Sequence, residues 1–374
     1  MSATDEPMVR PRTSTRDPEE QRRQLAAWLS HRLPNPTISG LVAPPTTGMS
    51  SETLLFEAEW EEDGRARQRS LVARVPPDTS AVPVFPSYDM ERQFRVMRVV
   101  EQHTSVPVPP TLWYEDDARH LGAPFFVMER VDGLVPPDLM PYTFGDNWLF
   151  DARREDQERL QTASIGVLAQ LHVLDADGPA GFLALDTGGD THLRRHVNHE
   201  REYYEWVVAG TQRSPLIERA FTWLEAHWPD HEGPSGLSWG DSRVGNIMYR
   251  DFQPVAVLDW EMAGIGPREI DLSWMIFLQC FFQDLAESAG MPGLPDFMRR
   301  DDAATAYEKA SGSTPRDLDF FTLYAAVRHA IVMTRVAARS IHFGEAEAPA
   351  NPDDRILHRA ALEAMLAGTY WQTR

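Results

Sequence analysis

Apolar residues recur along this chain with two periods, a strand period early and a helical period later. In "TLLFEAEW", Leu54, Phe56, Ala58 and Trp60 alternate with Thr53, Leu55, Glu57 and Glu59, and after "EEDGRAR" the run "RSLVARV" resumes the strand signal. Together they predict a hairpin over 53–75. Ahead of it, "DPEEQRRQLAAWLSHRL" predicts a helix with Asp17 as N-cap, Pro18 in the first turn and Glu20 closing a capping box. A helical stretch, "MERQFRVMRVVEQH", follows the hairpin, then a Pro-rich connection, "SVPVPPTLWYE", and a strand, "PFFVMERV", at 124–131. From about 153 onward the period is helical: "LQTASIGVLAQLHVL", "SPLIERAFTWLEAHW", "DLSWMIFLQCFFQDL" and "FFTLYAAVRHAIVMTRVAA" can each bury one face. The pattern therefore predicts a disordered tail over 1–16, a β-rich first lobe over 17–133 and a helical second lobe over 134–374.

Length and composition allow two such lobes, since 374 residues with 42% hydrophobic content can build more than one core. A formal charge of −20 argues against a nucleic-acid partner, whose phosphates demand basic patches. The longest nearly apolar run, "LSWMIFLQCFF" at 272–282, is too short to span a bilayer, and the N-terminus has no apolar signal-peptide core. The expectation is a cytoplasmic protein with no membrane partner. Its single cysteine, Cys280, lies inside that apolar run and reads as a buried, inert thiol.

Candidate chemistry concentrates in "SWGDSRVGNIMYRDFQPVAVLDWE", residues 238–261. Two short apolar runs joined by "RDFQP" predict an antiparallel hairpin, and a turn centred between Phe252 and Gln253 sets Asn246 opposite Asp259. Asp241 precedes Asn246 by five residues on the irregular "GDSRVG" segment, facing the same space. An amide oxygen and two carboxylates at one mouth suit a hard cation such as Mg²⁺, with one carboxylate left over for a substrate proton.

Read with its neighbours, this segment resembles the signature of the aminoglycoside phosphotransferase and choline kinase-like family. That pattern runs roughly H-G-D-x-x-x-x-N, then a strand ending D-W-E, then G-x-x-x-x-D-L; here it reads W-G-D-S-R-V-G-N, L-D-W-E and "GPREIDLSW". Several spaced elements occur in order, and the resemblance covers roughly residues 36–340. It implies an α+β, bilobal protein-kinase-like fold that moves the γ-phosphate of ATP or GTP to a hydroxyl of a small molecule. Asp241 is then the residue that handles the acceptor proton, Asn246 and Asp259 hold Mg²⁺, and Arg243 steadies the γ-phosphate.

In the first lobe the same resemblance assigns Gly48, Ser50 and Ser51 of "TTGMSSET" to phosphate contacts. Arg74 of "LVARV" takes the place of the phosphate-pairing lysine, with Glu91 as its acidic partner and Gln93 as the rival at that helix position. Backbone groups from Glu129 to Val131 in "FFVMERVDG" would meet the purine edge. Two departures stand out, Arg74 for lysine and Trp239 for the histidine that usually precedes the aspartate by two residues. That histidine is mainly architectural in kinases, which makes Trp239 a tolerated replacement, and Asp271 reads as a structural support of the loop.

Two other readings compete. His192, His196 and His199 fall on one helical face and can be drawn as a zinc site, but Arg194 and Arg195 sit among them and a solvated polar face explains the run. The departures also fit a catalytically silent nucleotide-binding or regulatory module; the presence of Asp241, Asn246 and Asp259 together argues for an enzyme. Neither the charge nor the motifs choose among aminoglycoside, choline-like, homoserine-like and hydroxyacyl acceptors.

Overall fold

The computed structural model describes residues 16–44, 51–78, 82–138 and 140–373. It divides the chain into two compact units, one of residues up to 98 together with 109–131, the other of 99–108 together with 132 onward. The division differs from a single cut near Gly133, because a helix that begins in the first unit ends in the second.

The first unit holds α1 (Pro18–Leu29), β1 (Thr37–Val42), β2 (Glu52–Glu62), β3 (Arg65–Val75), the start of α2 (Met90–His103), β4 (Thr111–Glu115) and β5 (Phe125–Glu129). Its strands form one antiparallel sheet in the order β1-β2-β3-β5-β4. The alternation in β2 does what its period demands: Leu54, Phe56, Ala58 and Trp60 are buried, and Leu54, Phe56 and Ala58 share a core with Leu71, Ala73 and Val75 of β3 and Leu25, Trp28 and Leu29 of α1. Each large side chain so buried contributes about 1.5–3 kcal/mol. Asp63 and Gly64, both at positive φ, form the two-residue turn that fixes the β2–β3 register.

α1 starts where expected, with the Asp17 carboxylate accepting from the Glu19 N–H at 3.1 Å. Glu20 does not close a capping box; it pairs one turn on with Arg23, the solvent-side alternative. Residues 1–15 of the expected tail lie outside the described residues, while Arg16, the last of it, is anchored 2.7 Å from the Glu52 carboxylate.

The second unit carries α3 (Arg154–Leu171), α4 (His192–Val207), α5 (Pro215–Ala226), β6 (Ser235–Ser238), β7 (Ile247–Arg250), β8 (Gln253–Val257), β9 (Gly264–Pro267), α6 (Glu269–Ser288), α7 (Arg300–Ser311), α8 (Leu318–His342) and α9 (Arg359–Leu366). α6 and α8 pack on each other and bury most of their circumference, which explains their nearly continuous apolar sequence. Cys280 is buried on α6. Two strand pairs, β6–β9 and β7–β8, frame the segment that carries the candidate chemistry. Among the described residues no helix is long and apolar enough to cross a membrane.

The β7–β8 register differs from expectation by one residue. Asp251 and Phe252, both at positive φ, form the turn, and a bulge between Met248 and Tyr249 shifts the pairing so that Ile247 meets Val257. Asn246 therefore lies level with Leu258, whose N–H donates to the Asn246 carbonyl at 2.9 Å, and not with Asp259. Asp259 follows at once, in a left-handed conformation with φ of 61° that turns the chain out of the strand.

Candidate active site

β6 ends at Ser238 and delivers the chain into "WGDSRVGN". Asp271, fully buried near the start of α6, gathers this loop. Its Oδ2 accepts from the Trp239 N–H at 2.7 Å and faces His172 Nε2 at 3.1 Å; its Oδ1 accepts from the Gly240 N–H at 2.9 Å and the Ser238 hydroxyl at 2.8 Å. Burial works against the carboxylate's charge, but His172 and the two backbone N–H groups outweigh it and hold the Asp271 pKa below its ordinary value. The expected structural support is thus visible bond by bond.

Gly240 must be glycine. Its φ is 91°, and an added Cβ would sit 2.1 Å from the Met262 carbonyl oxygen. Gly240→Ala is expected to lower stability by about 1–3 kcal/mol from backbone strain, with a further cost from displacing Met262. A urea midpoint equal to that of the wild type would show that the loop is not held as described.

Three donors orient the Asp241 carboxylate. Trp274 Nε1 donates to Oδ1 at 2.8 Å, and Oδ2 accepts from Asn246 Nδ2 at 2.6 Å and Arg243 Nε at 3.1 Å. Because Asn246 spends its amide N–H₂ on Asp241, its side-chain oxygen Oδ1 is the atom left to serve as a ligand. Arg243 also pairs through Nη1 with Asp138, while its Nη2 makes no hydrogen bond among the described residues. Burial disfavours the guanidinium charge, yet Asp138 and Asp241 together raise its pKa above the usual arginine value. Gly245 lets this pair approach, since a Cβ there would lie 2.4 Å from Asp138 Oδ1.

Trp239, in the histidine position, is fully buried and donates Nε1–H to the carbonyls of Leu258 at 2.9 Å and Asp259 at 3.2 Å. The indole thus ties the Asp241 loop to the chain carrying Asp259. Asp241, Arg243 and Asn246 are joined by direct hydrogen bonds, and Asp259 is tied to them through Trp239 and through its neighbour Leu258.

Within the first unit, Arg74 is half-buried on β3 and donates Nη1–H to the Thr53 hydroxyl at 2.6 Å. On α2, Glu91 is exposed and close enough to Tyr114 to help raise its pKa, after the larger effect of burial, whereas Gln93 is buried. Gly48 and Ser50 lie outside the described residues; Ser51 is fully buried, so its side chain presents nothing to solvent. Glu129 closes β5 with its N–H on the Pro110 carbonyl at 2.9 Å, and Val131 lies two residues past the strand, outside the ladder.

The polar face of α4 is not solvated as expected. His196 and Glu200 are buried because α8 packs there and supplies partners, the Tyr324 hydroxyl 2.6 Å from His196 Nδ1 and Arg328 for Glu200. The residues that the motif did not reveal are Asp138, Trp274, Arg328 and Glu200. Trp274 had a signal, its i+3 spacing from Asp271 on one helix. So did Arg328, a lone charge in the apolar run "LYAAVRHAIV". Asp138, between prolines, had none.

A family model described as the phosphotransferase enzyme family matches residues 54–312. Among curated proteins, the chain is 27% identical over 292 residues to mouse acyl-CoA dehydrogenase family member 10, covering 74% of this chain and 25% of that protein. Human acyl-CoA dehydrogenase family member 11 is 28% identical over 209 residues, covering 55% of this chain and 25% of that protein. The chain thus spans about a quarter of the length of these relatives. Among solved structures, macrolide 2'-phosphotransferase MphH from Brachybacterium faecium is similar with a TM-score of 0.52 and 19% identity, over 91% of this chain and 97% of that one. A thermostable mutant of aminoglycoside phosphotransferase APH(4)-Ia, in ternary complex with ADP and hygromycin B, is similar with a TM-score of 0.54 and 16% identity, over 92% of this chain and 98% of that one.

Proposed function

Because the chain belongs to the phosphotransferase enzyme family, with the kinase-like fold of the aminoglycoside and macrolide phosphotransferases, we propose that it moves the γ-phosphate of ATP or GTP to a hydroxyl of a small molecule. The observation that carries this reading is the Asp241 carboxylate, fixed in orientation by Trp274, Asn246 and Arg243 with acceptor capacity left for one more hydrogen atom. In this reading Asp241 holds the acceptor hydroxyl in line and takes its proton as the new P–O bond forms and the bond from the γ-phosphorus to the departing nucleoside diphosphate breaks. Arg243, anchored by Asp138 and Asp241, offers Nη2 to the γ-phosphate. Positioning and charge neutralisation supply most of the acceleration, since phosphoryl transfer asks little covalent chemistry of a protein.

The side-chain oxygen Oδ1 of Asn246 and the carboxylate of Asp259 are oxygen donors of the kind Mg²⁺ takes, so the residues fit that ion. When bound, it would neutralise charge on the nucleotide phosphates. In the first unit, Arg74 would pair with a phosphate from its place on β3, and backbone groups of Glu129 to Val131 would meet the purine.

The curated relatives are named for acyl-CoA chemistry and the similar solved structures for macrolide and aminoglycoside antibiotics, so acceptors of both kinds enter the test. A nucleotide-consumption screen with Mg²⁺, run across hydroxyacyl, aminoglycoside, choline-like and homoserine-like compounds, tests the reading. Consumption that no alcohol stimulates would favour a silent nucleotide-binding module. Asp259→Asn is expected to weaken Mg·ATP binding much more than binding of metal-free ATP; calorimetry giving the same metal dependence for both proteins would remove Asp259 from the site.

A further inference from the structure

Arg328 of α8 is among the largest fully buried side chains of the described residues, only 1% exposed, and the reaction outlined above makes no direct use of it. Its Nε donates to the Glu200 carboxylate of α4 at 3.1 Å, and its Nη2 donates to the Gly240 carbonyl at 3.2 Å. Its guanidinium carbon lies 4.5 Å from the centre of the Trp274 ring, while Nη1 is buried without a hydrogen-bond partner. Two of these contacts bear on one residue. The Gly240 carbonyl belongs to the peptide that joins Gly240 to Asp241, and the Trp274 indole is the donor to Asp241 Oδ1.

As a stability device this ion pair is poorly built. Taking a guanidinium and a carboxylate out of water costs several kcal/mol per ion, and the return falls when a buried N–H stays unpaired. An apolar pair of similar volume would hold α4 against α8 at least as well. What an apolar pair cannot do is restrain a peptide carbonyl and an indole ring at once. A planar guanidinium does so, with Nε on Glu200, Nη2 on Gly240 and its carbon over the ring.

We propose that the Glu200–Arg328 pair is a positioning device for Asp241: Arg328 sets the Gly240–Asp241 peptide and the Trp274 indole, and these aim the Asp241 carboxylate at the acceptor hydroxyl. Glu200 holds Arg328 in register, and the neighbouring His196 presents no competing charge, because burial and the Arg328 charge press its pKa well below the ordinary value. The proposal rests on the phosphotransferase reading of Asp241. It extends that reading to residues that touch neither nucleotide nor acceptor.

The test replaces both charges together in the full chain, Glu200→Leu with Arg328→Met, so that neither ion is stranded. The expected result is an unchanged unfolding midpoint and Mg·ATP affinity, a kcat lowered about tenfold to a hundredfold, and an acceptor KM that moves much less. Trp274→Phe should lower kcat in the wild type and add little in the paired variant, since both act through one carboxylate. Wild-type kcat in the paired variant, or losses that simply multiply, would overturn the proposal. Should the paired variant not fold, Glu200→Gln, which keeps shape and removes the pairing charge, is expected to show a smaller loss in the same direction, and an unchanged kcat there would count against it equally. A readout independent of transfer is the Trp274 indole N–H resonance, assigned by its loss in Trp274→Phe. It should move when Glu200 or Arg328 is replaced, and a fixed resonance would reject the positioning role. If the wild type transfers no phosphate, the reading of the activity fails, and the resonance still decides whether Arg328 sets the indole.

Discussion

Asp241→Asn is expected to lower turnover by a factor of about 10² or more on the best acceptor and to leave Mg·ATP affinity nearly unchanged, given what general acid–base groups typically contribute. The reason is local. The Asp241 carboxylate is met by three donors, so an amide of the same shape must turn one N–H₂ toward Trp274, Arg243 or Asn246 and lose acceptor capacity where the acceptor hydroxyl would bind. The proposed metal ligands, Asn246 and Asp259, stay in place. Steady-state kinetics beside calorimetry check this, and a variant that keeps wild-type turnover would reject the role given to Asp241.

Asp271→Ala should be the most destabilising single change in the loop's support. It would strand the Trp239 and Gly240 N–H groups, the Ser238 hydroxyl and His172, all buried, at a cost of about 3–5 kcal/mol. The pH dependence has a definite sign. Since the folded Asp271 pKa lies below the ordinary aspartate value, its stabilisation is fully present above that ordinary value and is lost as pH falls through the folded pKa. In urea melts, the gap between wild type and Asp271→Ala should therefore close as pH drops below about 4. A gap that holds constant down to strongly acidic pH would show that the carboxylate's charge is not what Asp271 contributes.

Where the sequence was legible, a short local pattern decided each feature. Leu54, Phe56, Ala58 and Trp60 announced β2 because a half-buried strand must alternate, and "DG" announced its turn. β1 and β4 escaped notice for physical reasons: β1 is mostly exposed and crosses Gly40, and every residue of β4 is half-buried, so neither alternates. The one-residue difference at β7–β8 has two parts: the turn falls one position earlier, at Asp251 and Phe252, which alone would shift the pairing by two residues, and a bulge that leaves no mark in the hydrophobic pattern restores one of them. The Asp241 loop was legible as a spaced motif, whereas its supports were not. Arg328 and Glu200 are 128 residues apart, and only packing of α4 on α8 brings them to Gly240 and Trp274. His196 misled for the same reason, because a polar helix face in sequence gives no hint of the Tyr324 that covers it.

Whether a hydroxyl receives the γ-phosphate under the direction of Asp241 is decided by identifying the product. The acceptor that most stimulates nucleotide consumption is incubated with Mg·ATP or Mg·GTP and either the wild type or Asp241→Asn, and phosphorus NMR with mass spectrometry follows the phosphate. One phosphate ester of the acceptor is expected for each nucleoside diphosphate formed, with the ester nearly absent from the variant. Inorganic phosphate alone, or an ester formed equally by both proteins, would contradict that expectation.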